Sequence, residues 1–395
     1  MNGKKIAVRA AKAVMRVYYE VSRVFVKEDP QEILFLNRWS EDLTLDFHMI
    51  QDEIRRQSPS VKIRTINCRD GNSWMSRIRF CVAVFRSIRL MPCARVIVLN
   101  SYWPAVSVLP HRKNQTVVQM WHAAGKIKKS GYQVLDTPAG HSRWMAEEMS
   151  MHRGYDIIFA GGSAWNYAYM ASFGTTLDKL RNVGLPRLDY LVARQKQERE
   201  HVLAAYPEFR EKRVLLYAPT FRKGKADWSS LERVIDYNRD ILVVKSHPNQ
   251  KLEENGHRYI TCPEFTSQQL MTAADYLITD YSSIAVEAAA LGLKTYYFLY
   301  DYDEYMRDNG LNLDIPKEMP ACTFFRAEEL IEALDHEIYP EEELERYRRR
   351  YLPGNLGHCA EDGAALIQQA LGEEPWIHSG YAGGVKSVSG APVSA

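Results

Sequence analysis

Two series of short apolar runs, with stretches of helical period between them, predict an α/β protein of two doubly wound domains facing each other across a cleft. Length supports the division. At 395 residues the chain exceeds the roughly 250–300 at which a single core stops growing. Hydrophobic residues at 46% and charged residues at 25% place it among folded chains rather than disordered ones.

Before the first run, KKIAVRAAKAVMRVYYEVSRVFVK predicts a basic amphipathic helix within residues 1–28. Ile6, Ala10, Val14, Val17, Tyr18, Val21 and Phe25 recur at steps of three and four. Lys5, Arg9, Lys12, Arg16, Arg23 and Lys27 fall mainly on other faces, and seven positive residues between 4 and 27 meet one negative, Glu20. Such a helix is expected to lie on an anionic membrane surface, each basic residue near the headgroups contributing about 1 kcal/mol. An ordinary surface helix packed on the first domain is the alternative. Arg9, Lys12 and Arg16 interrupt any apolar core of a signal peptide, so the segment is expected to be retained.

The first Rossmann-like domain, 29–190, carries EILFLN (32–37), VKIRTI (61–66), ARVIVLN (94–100), TVVQMW (116–121) and YDIIFA (155–160), with helical period over 41–57 and 74–90. The second, 191–372, carries RVLLYAPT (213–220), DILVVKSHP (240–248), DYLITDYSS (275–283) and KTYYFLY (294–300), with further helices over 340–371. Strands joined by helical crossovers demand mainly parallel sheets. Between the series, GLPRLDYLVARQKQEREHVLAAYPEFREK reads as a turn and a polar linking helix, which sets the boundary near residue 190. The last residues, 373–395, are rich in Gly, Ser and Ala and are expected to form a mobile tail.

Several function classes are excluded. A net charge of +2 is too small for a chain-wide polyanion binder, and no nucleic-acid partner is expected. The six cysteines, at 68, 81, 93, 262, 322 and 359, show no CxxC spacing, which points to a reducing, cytoplasmic compartment and away from structural zinc. No apolar run reaches the roughly 18 residues of a spanning helix. HExxH, a DxD near a strand end and the phosphate loop GxxxxGK[ST] are absent, so no metal or cofactor is expected and an ATPase is disfavoured. The Asp301, Asp303 and Glu304 group reads as a solvated acidic loop rather than a cation site.

The chemistry is expected at strand ends. YAPTFRKG places Thr220, Arg222 and Lys223 after a strand, and VVKSHPNQ places Lys245 and His247 after another. In ITDYSSIAVEAAALG a strand through Thr279 gives way to Asp280, Tyr281, Ser282 and Ser283 and then to a helix ending at Gly292. Serines suit the orphan N–H groups of a helix start, and such a start binds phosphate through free donors and the positive end of its dipole. Simple capping is the alternative there. Glu287 stands one turn deeper on roughly the same face, where it is placed to accept from ribose hydroxyls or to be solvated.

On the first domain, VVQMWHAAGKIKKSGY ends a strand on His122, which is expected to point into the cleft as a general base, with Gly125 allowing backbone to approach a ligand. Lys126, Lys128 and Lys129 are expected to gather anionic substrate or lipid phosphate; a structural histidine and a solvated basic turn are the alternative. Only His122 and His247 keep this company. His152, His257 and His358 read as loop or surface residues.

WHAAGKIKKSGY, GLPRLD, YAPTFR, VVKSHP and ITDYSSIAVEAAALG, in this order over about residues 115–315, resemble the CDP-glycerol:poly(glycerophosphate) glycerophosphotransferases of wall teichoic acid and capsule synthesis. The resemblance implies a GT-B fold, peripheral attachment to the cytoplasmic face of the membrane, and transfer of a polyol phosphate from a CDP-polyol donor to a lipid-linked saccharide or growing polymer. By the same resemblance, His122 and His247 match the family histidines, Thr279, Asp280, Ser282 and Ser283 match the diphosphate site, and Arg222 matches the basic residue of the APT-aromatic-Arg motif. Ala123, Ala124 and Gly125 stand where many members have WHG and a Thr-Pro-Leu-Lys-like turn, which is closer to the priming enzymes. Val286 and Glu287 replace a frequent Phe-Asp, and Asn309, Gly310 and Leu311 a frequent Arg-Gly-Tyr. These departures leave the polyol open. Two other functions remain: a GT-B glycosyltransferase or epimerase using a UDP-sugar, and a non-catalytic membrane-associated protein that binds anionic lipid-linked polymer.

Overall fold

The computed structural model describes residues 2–69, 71, 73–222, 228–246, 256–336 and 339–372. The chain opens with α1 (Asn2–Phe25), β1 (Asp29–Asn37), α2 (Leu45–Gln57), β2 (Lys62–Asn67), α3 (Trp74–Leu90), β3 (Ala94–Leu99), α4 (Pro104–Val108) and β4 (Thr116–Gln119). There follow α5 (Arg143–Glu148), β5 (Ile157–Phe159), α6 (Asn166–Phe173), β6 (Leu180–Arg181) and the long α7 (Pro186–Ala205). The second series is β7 (Arg213–Ala218), α8 (Ser229–Val234), β8 (Asp240–Val244), α9 (Ser267–Ala273), β9 (Tyr276–Thr279), α10 (Ile284–Leu291) and β10 (Lys294–Phe298). It closes with α11 (Tyr302–Asp308), α12 (Ile315–Glu318), β11 (Thr323–Phe324), α13 (Ala327–Asp335), α14 (Glu341–Tyr351) and α15 (Cys359–Leu371).

Two sheets result, ordered β2-β1-β3-β4-β5-β6 and β11-β10-β9-β7-β8, with parallel pairing of these strands throughout. Read from its other edge the second sheet repeats the order of the first, so each reverses direction once, between β1 and β3 and between β7 and β9. Crevices outside the carboxyl ends of strands at such reversals are where doubly wound sheets bind ligands.

Both faces of the sheets are covered, which explains the unbroken apolar runs. Along β1 and β3, Leu34, Leu36, Ile97 and Leu99 enter one core while Ile33, Phe35, Val96 and Val98 enter the other. In β7, Leu215 and Tyr217 join the first core, which spans both sheets, while Val214 and Leu216 pack under α9. The strands β6 and β11, two residues each, carry too little pattern to be read from sequence. After the second sheet the chain returns: Ala364, Ile367 and Leu371 of α15 lie in the same core as Phe47, Ile50 and Ile54 of α2.

Helix α1 packs on α3 through Met15 and Tyr19, which are buried, and Tyr18 meets Phe85 at 5.8 Å between ring centroids. The stripe read from sequence is not this inward face. Ile6, Val14, Val17, Val21 and Phe25 are exposed, as are Trp74, Met75, Ile78, Val82 and Phe85 on α3. Among the described residues no helix is long and apolar enough to cross a membrane, and no disulfide joins the cysteines. Residues 373–395 lie outside the described residues.

Candidate functional site

The two crevices open onto one cavity of about 540 Å³. From the first half it is lined by Trp39, Asp46, Asn100, Trp121, His122 and residues of the lysine turn, and from the second by Gln268, Tyr281, Ser282 and Ser283. These belong to the segments that follow β1, β3 and β4 on one side and to α9 and the segment after β9 on the other.

His122 sits where β4 breaks. Trp121 before it adopts φ 63°, a left-handed backbone that an aromatic residue rarely takes, held by a hydrogen bond from its N–H to Gln119 Oε1 at 2.9 Å. This turn swings the imidazole between the rings of Trp39 and Trp121, with centroids 4.1 and 4.2 Å away. His122 Nδ1 lies 3.2 Å from the carbonyl oxygen of Asn100. A carbonyl only accepts, so Nδ1 carries the proton and Nε2 the lone pair. Burial first, and then the Lys126 charge, hold the imidazole well below its ordinary pKa. The neutral imidazole is therefore favoured.

The three lysines divide. Lys126 is 2% exposed, with its ammonium over Trp121 at 4.0 Å and Phe173 at 4.4 Å, and it donates to Ser130 Oγ at 2.8 Å. Burial pulls its pKa far down, while ring faces attract a desolvated cation by up to about 2 kcal/mol each. Lys128 is half-buried, and burial lowers it to about 8 with Asp280 opposing. Lys129 is exposed. All three line the cavity, but only two have the reach to meet an incoming anion in water. His152, expected at the surface, is buried at φ 61° beneath this turn, packed on Phe173 at 4.6 Å between centroids and 3.2 Å from the Tyr155 hydroxyl. Burial lowers its pKa to about 3. Apart from Tyr155, its ring neighbours Tyr102, Trp121, Tyr132 and Phe173 come from other segments, which is why the local sequence reads as a loop.

Gly125 serves packing as much as access. A Cβ there would stand 2.9 Å from the Trp165 ring and 2.9 Å from Val286 Cγ2 on α10, so the glycine lets the two halves touch.

In the second half, the start of α10 faces the cavity through Ser282 and Ser283. Ser282 Oγ accepts from Ile284 N–H at 3.4 Å, while Ser283 makes no side-chain capping bond, and Gly292 ends the helix in the left-handed region at φ 69°. The remaining expected donor residues stand behind this edge. Thr279 Oγ1 donates to the Ala218 carbonyl at 2.7 Å. Asp280, fully buried, accepts from Thr220 N–H at 2.9 Å and Tyr281 N–H at 2.6 Å and pairs with Arg222 at 2.9 Å. Arg222 also pairs with Asp301 at 2.7 Å; burial opposes its charge, and the two carboxylates outweigh that. Asp301 is thus part of a buried cluster rather than a solvated loop. Lys245 donates to the Cys262 carbonyl at 3.0 Å, and burial lowers its pKa. His247 lies outside the described residues.

Glu287 is buried and its carboxylate is engaged at 3.3 Å by Arg187 and at 2.8 Å by Gln268 rather than turned toward a ribose. Burial pushes its pKa up, with Arg187 working against that. Arg187 also binds Asp46 of α2. Sequence reasoning passed over Arg187, since GLPRLD reads as a linker; a buried arginine shows itself only once α2, α7 and α10 meet. Trp39 and Asn100 were likewise unmarked, and Tyr281 was read only as part of its turn. Among the described residues no group of three or more His, Cys, Asp or Glu is placed to hold a metal ion.

Residues 17–362 match the family described as CDP-Glycerol:Poly(glycerophosphate) glycerophosphotransferase. A teichoic acid ribitol-phosphate primase of Bacillus spizizenii is 24% identical over 390 residues, covering 93% of this chain and 98% of that protein. A teichoic acid glycerol-phosphate primase of Bacillus subtilis is 26% identical over 260 residues, or 63% of this chain and 67% of that protein. The solved wall teichoic acid polymerase TagF shares the fold with a TM-score of 0.70 at 17% identity, covering 93% of this chain and 95% of its own. An S. aureus MnaA–UDP structure does so with a TM-score of 0.53 at 10% identity, covering 87% and 99%. The family match runs from the middle of α1 into α15 and takes in both sides of the cavity. The chain belongs to the CDP-glycerol:poly(glycerophosphate) glycerophosphotransferase family.

Proposed function

We propose that the protein transfers a polyol phosphate, with glycerol phosphate first among the polyols, from a CDP-polyol to a hydroxyl of a lipid-linked saccharide or teichoic-acid- or capsule-like polymer. The acceptor oxygen attacks the phosphorus that bears the polyol, its proton passes to His122 Nε2, and the bond to the departing CMP breaks. The Nδ1–H of His122 bound to Asn100 O carries this reading, because it leaves Nε2 unprotonated in a cavity shared with the start of α10. Ser282, Ser283 and the positive end of the α10 dipole suit the diphosphate, with Lys128 and Lys129 opposite. Arg222, Asp280, Thr279 and Glu287 act from behind as the frame of that edge. Residues 29–190 supply the acceptor side and those from 191 the donor side, and His247 is assigned to charge on the leaving group.

The test is incubation with a panel of CDP-alcohols and a short lipid-linked disaccharide, reading CMP and the mass gain of the acceptor. CMP formed with the glycerol donor supports the reading; no CMP with any donor sinks it. Titration with UDP-hexoses separates it from a UDP-sugar enzyme, which the MnaA likeness brings into view at the level of fold.

We also infer attachment to an anionic membrane surface. The exposed apolar faces of α1 and α3 lie side by side, and Lys4, Arg16, Arg77, Arg86 and Arg89 belong to the same two helices.

A further inference from the structure

The turn that follows His122 is held from the other half of the molecule. Lys128 pairs antiparallel with Leu311, Lys129 N–H donates to Gly310 O at 3.2 Å, and Asn312 N–H donates to Ile127 O at 2.8 Å. The Asn312 side chain adds four bonds. Its Nδ2 donates to the carbonyls of Lys126 and Lys128, both at 3.0 Å, and to Gln133 Oε1 at 3.3 Å, and its Oδ1 accepts from Gln133 Nε2 at 2.6 Å.

Asn312 is itself tied to the donor edge. It follows α11, whose Tyr305 stacks on Tyr281 at 3.8 Å, and Tyr281 directly precedes Ser282. The Tyr281 hydroxyl donates to Asp301 at 3.0 Å, and Asp301 holds Arg222 together with Asp280. A continuous strut therefore runs from the start of α10, through α11, to the lysine turn. At its far end the Lys128 ammonium feels both Asp280 and Arg222 across the cleft.

We propose that Asn312 is a positioning residue: it sets the lysine turn against the donor edge, so that Lys128 meets the diphosphate of a nucleotide seated at Ser282 and Ser283. Donating to both carbonyls that flank Ile127 is a task that no apolar side chain and no carboxylate performs. The inference deepens the reaction proposed above and rests on it for the ligand.

The test is a double-mutant cycle on CDP affinity, read by titration calorimetry, in wild type, Asn312→Ala, Lys128→Met and the double variant. Thermal midpoints and amide exchange over 126–131 are measured alongside. Each single change is expected to weaken CDP about tenfold or more, and the double variant to bind no more weakly than Lys128→Met, because the two act through one contact. Asn312→Asp, of equal size but lacking both donors, is expected to match Asn312→Ala, and amide exchange over the turn to speed up. Effects that multiply in the double variant overturn the proposal, as does unchanged CDP affinity in Asn312→Ala or a wild type that does not bind CDP. If Asn312→Ala fails to fold, Asn312→Ser, which keeps one donor, takes its place in the cycle. A wild type that binds CDP with the expected coupling yet turns over no CDP-alcohol removes the proposed reaction and leaves Asn312 in its role.

Discussion

Arg187 Nη1 and Glu287 Oε1 stand 3.3 Å apart, joining α7 to α10, while the same guanidinium holds Asp46 of α2. Removing the cation leaves two buried carboxylates facing each other. Arg187→Met is expected to destabilise the protein by about 3–5 kcal/mol, read as a lower denaturant midpoint. Glu287→Gln keeps the volume and a hydrogen-bonding group, and should lose clearly less.

His122→Ala should lower kcat by about 10²–10⁴-fold with CMP release as the readout. The active form of His122 is neutral, and burial together with Lys126 disfavours its protonation. The acid limb of kcat/KM is therefore expected below the ordinary imidazole value of about 6.5, and Lys126→Met should move it upward. A limb at 6.5 that ignores Lys126 would contradict this account.

His152 gives a pH dependence of stability. Its folded pKa of about 3 lies below the unfolded value of about 6.5, so falling pH protonates the unfolded chain first. The stability it contributes is complete above pH 6.5 or so and is lost as pH drops toward 3. Thermal midpoints from pH 8 to 4 should fall less steeply in His152→Gln than in wild type.

Gly125→Ala forces a Cβ against Trp165 and Val286, both at 2.9 Å. A crowded contact of this kind costs about 1–3 kcal/mol. Adding Val286→Ala clears one of the two neighbours and should recover part of the lost thermal midpoint.

Val17→Glu on α1 and Val82→Glu on α3 place charge on exposed apolar positions. Both should weaken binding to vesicles of anionic lipid while leaving turnover of a soluble acceptor intact. Binding that survives both changes would remove this face from the membrane.

The two-sheet plan was legible because buried parallel strands write continuous apolar runs, and α3 was readable to its ends. The turn at Ser282 and the position of His122 were legible as strand ends. What the sequence could not display was which of its polar residues turn toward the cleft. Thr279, Asp280 and Glu287 share a motif with Ser282, yet their partners, Ala218, Arg222 and Arg187, lie about 60 to 100 positions away. Separation of at least this size hid the Arg187 cluster. On α1 the apolar period was seen, but a helix with two apolar sides does not say which one meets protein.

The return of α15 to the first sheet has a bearing on synthesis. Phe47 and Ile50 are made early, yet the helix that covers them, where Gly363 admits Ile50 Cδ1 to within 2.8 Å of the position a Cβ would take, comes at the far end of the chain. On the ribosome, the first sheet must therefore wait with one flank uncovered until the second has emerged. A truncation that spares every cleft residue but removes α15 should leave a protein that chaperones retain.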